Sequence, residues 1–147
     1  MVKNMSKYFT YRYANEQLKK AIVAGFYLEA ITIEESIIVD RLFRFCKDNG
    51  LKISASQATL GTIKTCIEKL PIESQEIWQI DFYDELNQFR QNRNTCLHQI
   101  AKSEPGEPTL SLKEFEGLAR GTAMNGRVLM VKICNWAKRY NRKMELN

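Results

Sequence analysis

Residues 111–140, SLKEFEGLARGTAMNGRVLMVKICNWAKRY, contain no proline and repeat their apolar and small side chains at helical spacing. Phe115, Leu118 and Ala119, Thr122, Gly126, Leu129 and Met130, Ile133, Ala137 and Tyr140 fall on one side of a 3.6-residue helix. Ser111 and Glu114 stand three apart just before the stripe begins, the spacing at which a hydroxyl and a carboxylate cap each other's backbone N–H groups. A rod of this length with one apolar stripe must bury it against other helices.

Upstream, the same period recurs. From Ala14 to Asp48 the only glycine is Gly25 and there is no proline, and Leu18, Ala21, Leu28, Val39, Leu42 and Cys46 keep helical spacing up to Asn49-Gly50, a left-handed C-cap signal. Ile22, Phe26, Ile33 and Ile37 form a second stripe on the same segment. Read as one continuous helix, it is apolar on two faces and calls for two partners, its own bundle and a second subunit. Ser56–Leu70 reads as a shorter helix stopped by Pro71, and Glu73–Lys102 as a longer one with the stripe Phe82, Leu86, Phe89, Arg93, Leu97 and Ile100. Pro105, Gly106 and Pro108 mark a loop before the last helix. No strand-like alternation competes. The expected fold is all-α, an antiparallel up-and-down bundle of four to five helices formed as a single domain over residues 1–147.

Composition narrows the chemistry. With 147 residues, 44% hydrophobic and 27% charged, the chain is too apolar for disorder and long enough for a core. It has one histidine, His98, so a His-rich zinc site and an intrachain histidine pair are both excluded. The four cysteines, Cys46, Cys66, Cys96 and Cys134, form no Cys-x-x-Cys and read as small buried hydrophobes in a reducing cytoplasm. Neither a metal nor a cofactor is expected. Met1–Tyr13 has no signal-peptide pattern and no apolar run is long enough to span a bilayer, so no membrane role is expected either.

Charge is uneven. From Lys113 onward eight basic side chains face three acidic ones, whereas upstream 14 bases balance 14 acids, so the whole net charge of +5 resides in the last segment. Lys138, Arg139, Arg142 and Lys143 are the candidate RNA-binding cations; favourable placement at a helix C-terminus is their plain structural role.

The chemistry-bearing cluster is Arg93-Asn94-Thr95-Cys96-Leu97-His98. Arg93 stands where the stripe calls for an apolar residue, and His98, five residues on, projects about 140° away around the same helix. Asn94 and His98 are four apart, close enough for the carboxamide to orient the imidazole. Arginine, asparagine and histidine together suit a phosphate: guanidinium for charge, imidazole for proton transfer, amide for positioning. Glu35, in the gap of the first helix's stripe between Thr32 and Val39, is placed to pair with Arg93, a purely structural role that is also compatible with holding a catalytic guanidinium. Glu29, Glu34, Ser36 and Asp40 are weaker candidates for lining the cleft and read mainly as a solvated face. Trp78, Trp136 and Tyr140 are candidate base-stacking residues, with core packing as their default.

These six residues resemble the motif of the HEPN family, compact helical bundles found in prokaryotic toxins, abortive-infection proteins and CRISPR effectors. That motif is an arginine, four to six residues, then a histidine, with a polar residue after the arginine. Here the spacing is four and the polar residue is Asn94. The resemblance implies a homodimeric, metal-independent endoribonuclease in which the 2′-hydroxyl attacks the adjacent phosphodiester. It further implies Arg93, Asn94 and His98 as catalytic residues, RNA as substrate, a toxin–antitoxin or phage-defence role, and an antitoxin or regulatory protein as a candidate partner. The second reading is a helical dimer without catalysis that binds nucleic acid, a nucleotide or a partner protein through the same basic surface.

Overall fold

The computed structural model describes residues 4–71, 82–100, 105–106 and 110–146, which form five α-helices, one 3-10 turn and no strand. Helix α1 is Met5–Ala24, α2 Tyr27–Asp48, α3 Leu60–Glu68, α4 Tyr83–Gln99 and α5 Leu112–Leu146, with the 3-10 turn at Ala55–Gln57. Trp78, the start of the helix expected from Glu73 and its end at Lys102 lie outside the described residues.

The segment read as one helix over Ala14–Asp48 is two helices. Gly25 adopts φ 79°, donates its N–H to Ile22 O, and is followed by Phe26, whose N–H reaches Ala21 O at 2.8 Å. This is a Schellman closure, which a left-handed residue permits and a helical one does not. The chain folds back on itself, so Tyr11 of α1 meets Asp40 and Arg41 of α2. The two faces that seemed to require a second subunit are divided between two helices that cover one another in part. The N-terminal helix is accordingly a full-length member of the bundle. At Asn49-Gly50 the expected cap is present: Gly50 has φ 99° and Leu51 N–H bonds Cys46 O at 2.9 Å.

The remaining ends follow local chemistry. Thr59 caps α3 by accepting from Thr62 N–H, so that helix starts four residues later than Ser56, which falls inside the 3-10 turn. Ser111 and Glu114 exchange side-chain-to-backbone bonds at 3.1 Å each, the capping box expected for α5.

Side-chain register sets the topology. Glu34, Phe45 and Asp48 of α2 meet Gly126, Trp136 and Tyr140 of α5, so these two run parallel. Phe82, Glu85 and Cys96 of α4 meet Trp136, Lys132 and Thr122, so α4 runs against both. Helices α1, α2, α4 and α5 thus alternate up and down, with short α3 packed on α2 and α4. Phe45, Phe82, Trp136 and Tyr140 form one aromatic cluster at the Asp48 end. The core stripe of α4 is Phe82, Leu86, Phe89 and Cys96; Leu97 and Ile100, expected to be buried, are 39% and 53% exposed. Cys96 continues the three-and-four spacing after Arg93 as well as Leu97 does, and it is the one opposite Thr122.

The tightest approach is at Gly126. A β-carbon there would run into Glu34 Oε1 of α2 and the Phe89 ring of α4. Gly126→Ala is therefore expected to destabilise the fold by about 2 kcal/mol through overpacking. Gly117→Ala, at an open helical position of α5, is expected to stabilise it by about 0.5–1 kcal/mol. Urea titration of the two variants measures both, and shifts of the same sign would show that this contact does not limit the approach of the helices.

Candidate functional site

Arg93 emerges from the middle of α4 toward α2. Its Nε donates to Glu35 Oε2 at 2.7 Å and its Nη1 to Asn94 Oδ1 at 3.1 Å. The side chains of Arg93 and Glu35 are 32% and 19% exposed, so the charges are partly desolvated, unlike an ordinary surface pair. Two of the three guanidinium nitrogens are engaged, and Nη2 has no hydrogen-bond partner among the described residues. The pair lies at a cleft of about 430 Å³ that also takes in Thr32, Ser36, Asp40 and Ala58. Asp40 is itself bound by Lys7 Nζ at 2.9 Å and by the Tyr11 hydroxyl. Each carboxylate of the cleft therefore has its own cation, and the cleft carries no net excess charge to draw in an anion.

His98 sits elsewhere. It is exposed near the end of α4, does not line the cleft, and makes no hydrogen bond among the described residues. Asn94, expected to orient the imidazole, uses its carboxamide oxygen for Arg93 instead, because the guanidinium beside it is the stronger donor. Cys96 is fully buried, contacts the Thr122 hydroxyl, and has its thiol pushed up by burial. It lies about 160° around the helix from His98, so the two form no thiolate–imidazole pair.

One residue of the region departs from its expected place. Glu34, read as part of a solvated face, is fully buried, and neither carboxylate oxygen has a hydrogen-bond partner. Burial pushes its carboxyl up to about 8, partly offset by the Arg127 charge on α5. The group is thus largely protonated at neutral pH, and it fits only because residue 126 is glycine. A glycine on the apolar stripe of a long helix is the signal in the sequence that something large must approach there. The raised carboxyl has a direct consequence for stability. Below pH 4.5, folded and unfolded states are both protonated; as pH climbs from 4.5 toward about 8 only the unfolded chain releases the proton, and stability falls. Glu34→Gln keeps the shape and removes the titration, so urea midpoints of this variant are expected to lose that decline. An unchanged pH profile would contradict the assignment.

The cations of α5 do not join Arg93 within one chain. Lys138, Arg139, Arg142 and Lys143 are exposed, on either side of the level at which Tyr140 donates to Asp48. Thr122 marks the level of Cys96, and Lys138 lies sixteen residues further, about 24 Å along the axis. Helical spacing also divides the four: Lys138 and Arg142 share one row, and Arg139 and Lys143 another. Trp136 and Tyr140, 4% exposed each, are core and unavailable for stacking on bases. Among the described residues no cluster of three metal ligands exists, and no helix is long and apolar enough to cross a membrane. Protein-family models, curated proteins and solved structures contain no match to the chain, and what this site can do is read from its own geometry.

Proposed function

We propose that this chain is a metal-independent endoribonuclease of the HEPN type, acting as a homodimer in a toxin–antitoxin or phage-defence setting. The observation that carries the reading is the state of Arg93: pinned by Glu35 and Asn94, with Nη2 left over, five residues before an exposed histidine. A guanidinium fixed before substrate arrives stabilises charge on a phosphoryl oxygen without reorganising. In this mechanism an imidazole removes the proton from the 2′-hydroxyl, the oxygen attacks phosphorus, and the 5′-oxygen leaves with a proton supplied from the opposite side. The products are a 2′,3′-cyclic phosphate and a 5′-hydroxyl. One chain owns one imidazole, so base and acid together require two chains.

The outward face of α4 is suited to that pairing. From Asn87 to Gln99 it contains no carboxylate and consists mainly of amides and hydroxyls, among them Asn87, Gln91, Asn94 and Thr95. Beside His98 its cations are Arg90 and the Glu35-paired Arg93, so two copies facing each other there meet less like-charge repulsion than at the exposed end of α5, which brings four cations. Antiparallel crossing near Thr95 and Cys96 sets Arg93 level with His98 of the partner subunit, because the crossing point bisects the five-residue spacing. An antitoxin or other regulatory protein would control the activity by covering this face.

Cleavage of single-stranded RNA in the presence of EDTA, leaving a cyclic phosphate end, is the expected activity. His98→Ala and Arg93→Ala are each expected to lower its rate at least 100-fold with the helical content unchanged. Glu35→Gln, which loosens the guanidinium without removing it, is expected to have an intermediate effect. Gel assays with end-group analysis read these outcomes; full activity in both His98→Ala and Arg93→Ala would overturn the proposal.

A further inference from the structure

Helix α1 presents an outward face that the bundle leaves uncovered. Met5, Tyr8, Phe9 and Tyr13 are 51–62% exposed, and Tyr8 and Phe9 meet edge to face at 5.5 Å. On the same side of the helix lie Arg12, Lys19 and Lys20, all exposed, against Glu16 as the one acid. The inward side is Ala14, Leu18 and Ala21, with Tyr11 and Lys7 turned toward Asp40 of α2.

The aromatic half of this face stands at the same end of the bundle as the basic end of α5. Tyr11 lies between them: its ring carries the Arg41 guanidinium at 4.2 Å, and its hydroxyl is affected by Cys134 of α5 as well as by Asp40. Cys134, Lys138 and Arg142 follow one another at four-residue steps, so the row facing the neighbourhood of α1 becomes cationic one turn beyond Tyr11. Exposed rings and unburied cations are thereby brought to one end of the bundle, about 24 Å along the axis from the level of Arg93 and His98.

We infer that this end, Tyr8 and Phe9 of α1 with Lys138 and Arg142 of α5, is a binding surface for single-stranded RNA, separate from the cleavage site. The inference rests on the proposed ribonuclease reading for RNA as the nucleic acid, and it adds where the strand is held. Single strands are bound by rings that stack on bases combined with cations that follow the phosphates, and the two requirements are met here by different helices. Charge decides against a second copy as the occupant, since pairing this face with itself brings together two faces that each carry Arg12, Lys19 and Lys20 against one acid, Glu16. The three rings and Met5 supply apolar area, and the cations select an anionic partner. Strands too short to span the distance between the two sites gain nothing from this surface.

The test measures binding and cleavage separately. Binding of a labelled 20-nucleotide unstructured RNA to the His98→Ala protein is followed by fluorescence anisotropy over a range of salt. Adding Tyr8→Ala and Phe9→Ala is expected to weaken binding about 10-fold or more with the salt slope unchanged. Adding Lys138→Ala and Arg142→Ala is expected to weaken binding and to reduce the slope by about 1.4, two phosphate contacts on a single strand. In the protein with His98 intact, the same changes are expected to slow cleavage of the long RNA far more than that of a tetranucleotide. Aromatic variants that keep their helical signal and bind as tightly as the parent would overturn the inference. Loss of a dimer in sedimentation with RNA affinity unchanged would overturn it too, by assigning the face to self-association. If binding falls as expected but no RNA is cleaved by any form, the surface stands and the nuclease proposal alone fails.

Discussion

The close approach at Gly126 is the constraint on which the rest of the molecule depends. Helices α2, α4 and α5 converge there with a carboxyl and an aromatic ring occupying the space a side chain would need. Because Glu34 is packed inward at this point, Glu35, its neighbour on α2, is turned about 100° away and meets Arg93 on α4. A close contact in the core thus sets the distance and rotation that bring a half-exposed ion pair to 2.7 Å. Burying Glu34 without a partner is unfavourable for folding, and the protein accommodates it by keeping the group protonated near neutrality.

As the catalytic group proposed above, the pair it positions is held firmly but adds no net charge to attract an anion. Glu35 and Asn94 hold the guanidinium still, while the cleft beside it balances Arg93 and Lys7 against Glu35 and Asp40. Long-range attraction for a polyanion comes instead from the far end of the bundle, where α5 carries most of the excess charge. On the proposed ribonuclease reading, recruitment falls to the C-terminal end of the 35-residue α5 and chemistry to α4 packed along it.

Much of this was legible in the sequence because helices announce themselves through period and caps. The stripe of α5, its Ser111–Glu114 box, the Asn49-Gly50 stop and the pairing of Arg93 with Glu35 all follow from spacing. Gly25 was harder to read: a glycine within a periodic segment either persists in the helix or ends it, and the decision depends on whether the following chain can pack back on the preceding one. Glu34 was missed because residue type alone gives a glutamate as solvated, and only the glycine opposite reveals the cavity that accepts it. Asn94 stands within reach of both Arg93 and His98, and spacing does not tell which of the two it will bind. The exposed rings of α1 were invisible for a simpler reason: aromatic residues at helical spacing look like core until the inward side of the helix is known.

Subunit mixing tests the central claim of a cleavage site shared by two chains most directly. Wild-type protein is allowed to exchange subunits with increasing amounts of His98→Ala protein at constant total concentration, and RNA cleavage is measured in EDTA. A site that requires His98 from both protomers loses activity as the square of the wild-type fraction, leaving about one quarter at an equal mixture. A linear decline, with about one half remaining, would mean that each chain cleaves on its own and would contradict the account.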